Sequence, residues 1–168
     1  APLFGLVALR QANAAVIPYD VPRYAQDLKG HFEQAVKNVK TISPDFTEFD
    51  QVNAALAKLN TSSANYQKAL DGALSSGNVS TKKLQKINTG LISLEKSWID
   101  PRGMYYGEWY KSLYVCNDPF SGYASWILPG IQYEVSINNT ARLEEWDSRY
   151  AKAILNLNKK INKLTKLL

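Results

Sequence analysis

Cys116 and His31 are the only thiol and the only imidazole in 168 residues, so they are the first pair to consider for chemistry. A thiol beside a base could form a nucleophilic pair. No local signature surrounds either residue, and their plainer reading is a small buried thiol and a helix-surface imidazole. Asp100, Glu108 and Asp118 could form an acid–base or metal cluster. Each lies beside Pro, Gly or Asn, where acids commonly fix turns, and the turn reading is preferred. No phosphate loop, Cys-x-x-Cys or His-Glu-x-x-His pattern occurs. One His and one Cys cannot furnish the usual zinc ligand set, so no zinc is expected in this chain; with no cofactor motif in the sequence, no cofactor is expected either. Three glycosylation sequons begin at Asn60, Asn78 and Asn138. Chance gives about 1.5 for this composition, a small excess that points toward a lumenal or extracellular location.

The residues that most need an explanation are aromatic. Trp98, Tyr105, Tyr106, Trp109, Tyr110, Tyr114, Phe120, Tyr123 and Trp126 fall in a stretch rich in Pro, Gly and Asp. Loops are usually polar and superficial. Rings in such a segment let it carry a small core of its own, against the rest of the domain or against another chain.

The elements that must position these rings are helices. Apolar residues recur at helical spacing in five segments, and strand-like alternation is confined to YVC and IQYEVSI. The first segment runs from Leu3 to Ala15. After Pro18, Asp20 caps a second over 21–40, with Tyr24, Leu28, Phe32, Val36 and Val39 on one face. Ser43-Pro44-Asp45 opens a third, which carries on to the stop signal SSGN. Ser80 caps a fourth, with a stripe from Leu84 to Trp98. The last begins near Asn139-Thr140 and holds a three-four spacing from Leu143 to Leu168. The fold class expected is all-α: an antiparallel up-and-down helical bundle with a long aromatic-rich loop before the last helix. A connection of some 40 residues exceeds ordinary loop lengths and is functional or anchored by packing.

The totals are those of one globular domain. Net charge is +5, which favours solubility without implying nucleic acid. The lysines of the last helix read as a solvated face and favourable C-terminal charge. One cysteine precludes an internal disulfide, and no apolar run has the length of a membrane span. The opening LFGLVALRQANA reads as a helix that began upstream, so the chain is expected to be a segment of a longer protein.

Two anchors carry a resemblance. LEKSWIDPRGM, then Tyr114, then YASWILPGIQYEV, together with AAVIPYDVPRYAQDL near the start, resemble the C-terminal helical domain of the transferrin receptor and glutamate carboxypeptidase II family. The resemblance spans essentially the whole chain in order. It implies a connecting helix from an upstream peptidase-like domain over 1–20 and a helical dimerisation domain over 21–168. Fungal relatives of this kind include a vacuolar protein-sorting member and adaptors. The partners implied are a second copy and the parent's own peptidase-like domain, within the lumenal or extracellular part of a membrane protein of the endomembranes or cell surface.

The resemblance also implies that zinc ligands lie upstream, so the chain alone is expected to be non-catalytic, with the parent's activity left open. In active family peptidases the long loop reaches the substrate cleft, where a Lys-Tyr pair recognises a carboxylate. Here Tyr123 is kept and Gly122 stands at the Lys position, which removes the cation. Trp98, Tyr106, Trp109 and Tyr114 are expected to anchor the loop. Phe120, Tyr123 and Trp126 are the expected interface residues. The alternatives are a domain contributing to an active zinc peptidase's pocket and a free-standing helical adaptor.

Overall fold

The computed structural model describes residues 2–168, with side chains from residue 3 onward. Its order is α1 (Pro2–Asn13), α2 (Val21–Lys40), α3 (Asp50–Ser76), α4 (Thr81–Ile92), a 3-10 turn (Glu95–Trp98), β1 (Val115–Asn117), β2 (Ser125–Ile127), α5 (Pro129–Ser136) and α6 (Leu143–Thr165). The fold is all-α apart from one small hairpin, as the periodicity predicts. α2 begins where Asp20 accepts from the Arg23 amide (2.9 Å), with Pro22 in its first turn. α3 stops at Gly77, whose φ of 66° suits a residue without a Cβ.

α3 packs most extensively on α6 and next on α2. Asp147 of α6 accepts from the amides of Gln51 (3.1 Å) and Val52 (2.9 Å), which places the N-terminal ends of α3 and α6 together. The chain from α4 onward runs the other way along α6. Gly90 sits against Leu164, Lys160 reaches the Ser93 carbonyl, and Arg149 reaches Asp100. These are the relations of second, third and fourth helices in an up-and-down series. The core between them is built from Leu28, Phe32, Phe49, Leu59, Tyr66, Ile87, Leu94, Trp146, Tyr150, Ile154 and Ile161.

Three local expectations need correction. α3 starts at Asp50 rather than at Ser43-Pro44-Asp45, which forms a turn. The cap that a local hydroxyl would have supplied comes instead from Asp147, and Phe46 packs on Phe49 (ring centroids 4.9 Å apart) in the lead-in. IQYEVSI is not strand-like but forms most of α5, because Pro129 sets its first turn and Ile131 is drawn into the core. The stripe ending in Trp98 leaves α-geometry after Ile92, and the 3-10 turn presents Trp98. Among the described residues no helix is long and apolar enough to cross a membrane.

Candidate interaction surface

The segment from Asp100 to Gly130 is pinned at its start by rings. Trp98 is buried, stacks on Tyr114 with centroids 5.2 Å apart, and donates its indole N–H to the Tyr24 hydroxyl. Tyr24 also meets Tyr19 and Tyr114 edge-on, so four rings from three places in the sequence form one cluster. Burial pushes the Tyr24 hydroxyl's pKa well up. The Leu113 amide donates to the Trp98 carbonyl (2.8 Å), and the Asp100 amide to the Lys111 carbonyl (2.9 Å), closing the first part of the segment into a compact loop. Inside it Gly103 adopts φ 69°, and a Cβ there would run into the Glu108 carbonyl.

Charged side chains fix the same loop to α6. Arg149, itself buried, donates to the Asp100 carboxylate (3.0 Å) and to the Gly103 carbonyl. Arg102 adds a second guanidinium to Asp100. Burial raises the Asp100 pKa, but the Arg102 hydrogen bonds and the charges of Arg149 and Arg102 outweigh it and bring it down to about 2. Further along, the buried Glu134 of α5 accepts from Arg142 (2.8 Å), from the Trp146 indole (3.0 Å) and from Asn139. The Tyr150 hydroxyl accepts from the Gly130 amide (3.1 Å).

The hairpin is the outward part. Val115 lies opposite Ile127, both exposed; Cys116 lies opposite Trp126, both half-buried on the other face. Its tip is organised by one carboxylate. Asp118 accepts from the Ser121 hydroxyl and from the amides of Phe120 (2.8 Å), Ser121 and Ala124 (3.2 Å). The Ser121 hydroxyl and amide, reinforced by the other two amides, hold its pKa down at about 2. The turn so formed displays Phe120, 68% exposed, and Tyr123, 96% exposed. Gly122 adopts φ 70°. A side chain there would be strained, which gives a backbone reason for glycine at the position where the resemblance places a Lys.

Both depressed carboxylates make acid sensitivity a clear expectation. A carboxylate whose folded pKa lies below its unfolded value of roughly 3.9 stabilises the fold above that value and loses the contribution as pH falls toward the folded pKa. Thermal melts should therefore show stability declining between about pH 4 and pH 2. Asp100→Asn and Asp118→Asn together should flatten that decline while lowering stability at neutral pH; an unchanged slope would contradict the assignment.

The expected site residues now have places. Trp98, Tyr106 and Tyr114 lie inside the packed cluster or at its edge, and Tyr106 faces Tyr110, Trp126 and Tyr133. Trp109 is a correction: it is 79% exposed and anchors nothing, because the turn from Gly107 to Tyr110 directs Tyr110 inward and Trp109 out. Trp126 is also less outward than Phe120 and Tyr123, being half-buried against Tyr106 and Phe120.

Asp100 and Asp118 each fix a separate turn, and Glu108 is exposed. Cys116 donates to the Ser112 carbonyl (3.1 Å), and burial pushes its pKa up, which disfavours a thiolate. His31 instead faces the Tyr114 ring, 5.9 Å away. Among the described residues no group of three or more His, Cys, Asp or Glu is placed to hold a metal ion. Asn60 lies within α3, Asn78 between α3 and α4, and Asn138 just after α5; all three are exposed.

The charged anchors Arg149 and Glu134 escaped the sequence reading. Arg149 follows Trp146 by three residues and so falls on the apolar face of α6, which is a legible signal for a buried ion pair. Glu134 carries no such signal, because its short run of Ile, Tyr and Val has little helical period of its own.

Comparison with known proteins agrees with this architecture. A probable glutamate carboxypeptidase of Arabidopsis thaliana, LAMP1, is 27% identical over 148 residues, which are 85% of this chain and 20% of that protein. The chain thus spans about a fifth of the length of this curated relative. Residues 31–162 match the model of the transferrin receptor-like dimerisation domain. With most of its length inside that match, including the whole pinned segment, the chain belongs to the transferrin receptor-like dimerisation domain family.

Proposed function

We propose that this chain works as a scaffold: a module that pairs with a second copy and packs on the peptidase-like domain of a glutamate carboxypeptidase-like protein. The observation that carries the reading is the exposure of Trp109, Phe120 and Tyr123 on a segment that is otherwise pinned by rings and ion pairs. Large apolar groups held rigidly in water mark an interaction site. Trp and Tyr are the residue types that most often dominate binding energy at such sites. Residues 1–20 then form the lead-in from the peptidase-like region. Leu3, Phe4 and Leu9 of α1 are exposed on more than one side of that helix, as suits a helix covered by something outside this bundle. The exposed sequons accord with a lumenal or extracellular setting.

A second reading has its own support. Tyr123 stands almost free at a tip ordered by Asp118, a geometry suited to reaching a neighbouring cleft and contacting substrate there. In a catalytically active parent, Tyr123→Ala would raise KM with the oligomeric state unchanged.

Sedimentation over a range of concentrations tests the scaffold reading, on this chain and on the longer protein that carries it. The expected result is a self-associating species that shifts toward monomer when Trp109, Phe120 and Tyr123 are replaced together by serine. The melting temperature of the monomer should stay within about 2 °C, since exposed positions change stability little. A strict monomer throughout, or association indifferent to the triple substitution, would overturn it.

A further inference from the structure

The three sequons differ in what the fold leaves free. Asn60-Thr61-Ser62 lies inside α3. Its Ser62 is 3% exposed and donates to the Leu59 carbonyl (3.0 Å), so the hydroxyl that completes the motif is packed away. Asn138-Asn139-Thr140 is wound into the turn after α5. Asn138 adopts φ 52°, and Asn139 holds the buried Glu134 through both its side-chain amide and its backbone amide.

Asn78-Val79-Ser80 occupies the irregular connection over 77–80 between α3 and α4. Gly77, at φ 66°, turns the chain out of α3, and a Cβ built there would meet nothing within 4 Å. Asn78 and Ser80 are both exposed. The Asn78 backbone amide donates to the Ser76 hydroxyl (3.3 Å), while its side-chain amide has no partner among the described residues. Ser80 caps α4 only loosely, accepting from the Lys83 amide at 3.4 Å, longer than an ordinary hydrogen bond. A glycan on Asn-x-Ser/Thr is bulky and needs chain of this kind, at the surface and outside regular structure.

The connection is also remote from the displayed rings. Asp147 holds the N-terminal ends of α3 and α6 together, and the pinned segment joins α6 near the same end through Arg149 and Arg142. α3 then runs for 27 residues. At the rise of an α-helix that is about 40 Å, so Asn78 stands at the far end of the bundle, clear of the surface proposed for pairing. Beside it, one turn back on α3, Leu74 is 46% exposed and would gain a hydrophilic cover.

We propose that Asn78 carries an N-linked oligosaccharide. The proposal rests on the lumenal or extracellular setting inferred above. The donor is an oligosaccharide linked to a polyprenyl pyrophosphate, in the lumenal compartment that such a chain enters. The Asn78 side-chain nitrogen attacks the anomeric carbon of the donor sugar. The C–N bond forms, the C–O bond to pyrophosphate breaks, one amide proton is released and the lipid pyrophosphate leaves. Ser80 serves twice: its hydroxyl completes the acceptor motif in the unfolded chain, and the same oxygen caps α4 on folding.

Site-resolved mass spectrometry after glycosidase release in heavy-oxygen water tests this. It is applied to the full chain secreted from a eukaryotic host behind a cleavable signal sequence, and to the longer protein isolated from its own cells. The peptide bearing Asn78 should take up the heavy label in most copies in both samples. Asn78→Gln should remove the glycan. Ser80→Asp should remove it too while keeping an N-cap oxygen for α4, and Ser80→Thr should keep both. Circular dichroism confirms that each variant is folded. Asn78 bare in the secreted, folded chain overturns the site itself, as does a glycan that survives Ser80→Asp. Asn78 modified in the secreted chain but bare in the longer protein overturns the proposal through its setting, leaving the acceptor geometry intact.

Discussion

Trp98→Ala should be among the most damaging single substitutions in the chain, costing about 3–5 kcal/mol and lowering the melting temperature by roughly 10 °C. The ring is 2% exposed, stacks on Tyr114, and holds the Tyr24 hydroxyl through its indole N–H. Its removal opens a cavity in the cluster that joins α2, the 3-10 turn and the aromatic segment, and it leaves the Tyr24 hydroxyl short of a partner. Both terms act in the same direction. Trp109→Ala, the same chemical deletion eleven residues later, should change stability by no more than about 0.5 kcal/mol, because the ring lies mostly in solvent. Thermal or denaturant unfolding of the two variants side by side checks the contrast. Equal losses would mean that the aromatic segment is not divided into a packed root and a displayed tip.

The second large effect is expected at Arg149. Arg149→Met keeps the aliphatic bulk against Trp146, over whose ring the guanidinium now sits 4.2 Å from the centroid, but removes the charge. Asp100 would keep only Arg102, whose side chain is about half exposed, and the Gly103 carbonyl would lose its donor. Breaking a buried pair by removing one partner typically costs about 3–5 kcal/mol. Arg149→Lys should recover only part of this, because an ammonium cannot reach the Asp100 carboxylate and the Gly103 carbonyl in the same planar arrangement. Denaturant titration gives the losses directly. A loss under about 1 kcal/mol for the Met variant would show that rings alone hold the segment.

Periodicity made the bundle legible. α2 and α4 begin where Asp20 and Ser80 predict, because those caps act within their own turn of chain. α3 begins six residues late because its capping group, Asp147, is almost a hundred residues away and no local pattern contains it. α5 departs from the strand-like expectation for a related reason: eight residues with Ile, Tyr and Val carry little period of their own, and burial of Ile131 and Glu134 decides their conformation. At the surface, the concentration of rings singles out one segment, and Phe120 and Tyr123 are displayed at its tip. Composition could not divide that segment further. Trp109 and Tyr110 are neighbours in sequence, yet the turn at Gly107 sends one to solvent and the other toward Tyr106. Which ring faces which way is a property of the backbone path, and that path is set by Asp100, Gly103 and Arg149 acting together.

Oxidative footprinting of the aromatic side chains, on dilute and on assembled protein, tests the scaffold proposal most directly. In the dilute state Trp109, Phe120 and Tyr123 should label readily while Trp98 and Trp146 stay protected. On assembly the first three should become protected, with exposed Lys152 and Lys159, followed by an amine-specific reagent, unchanged. If Trp109, Phe120 and Tyr123 label as readily in the assembled protein as in the dilute one, the displayed rings are not the surface through which this module works.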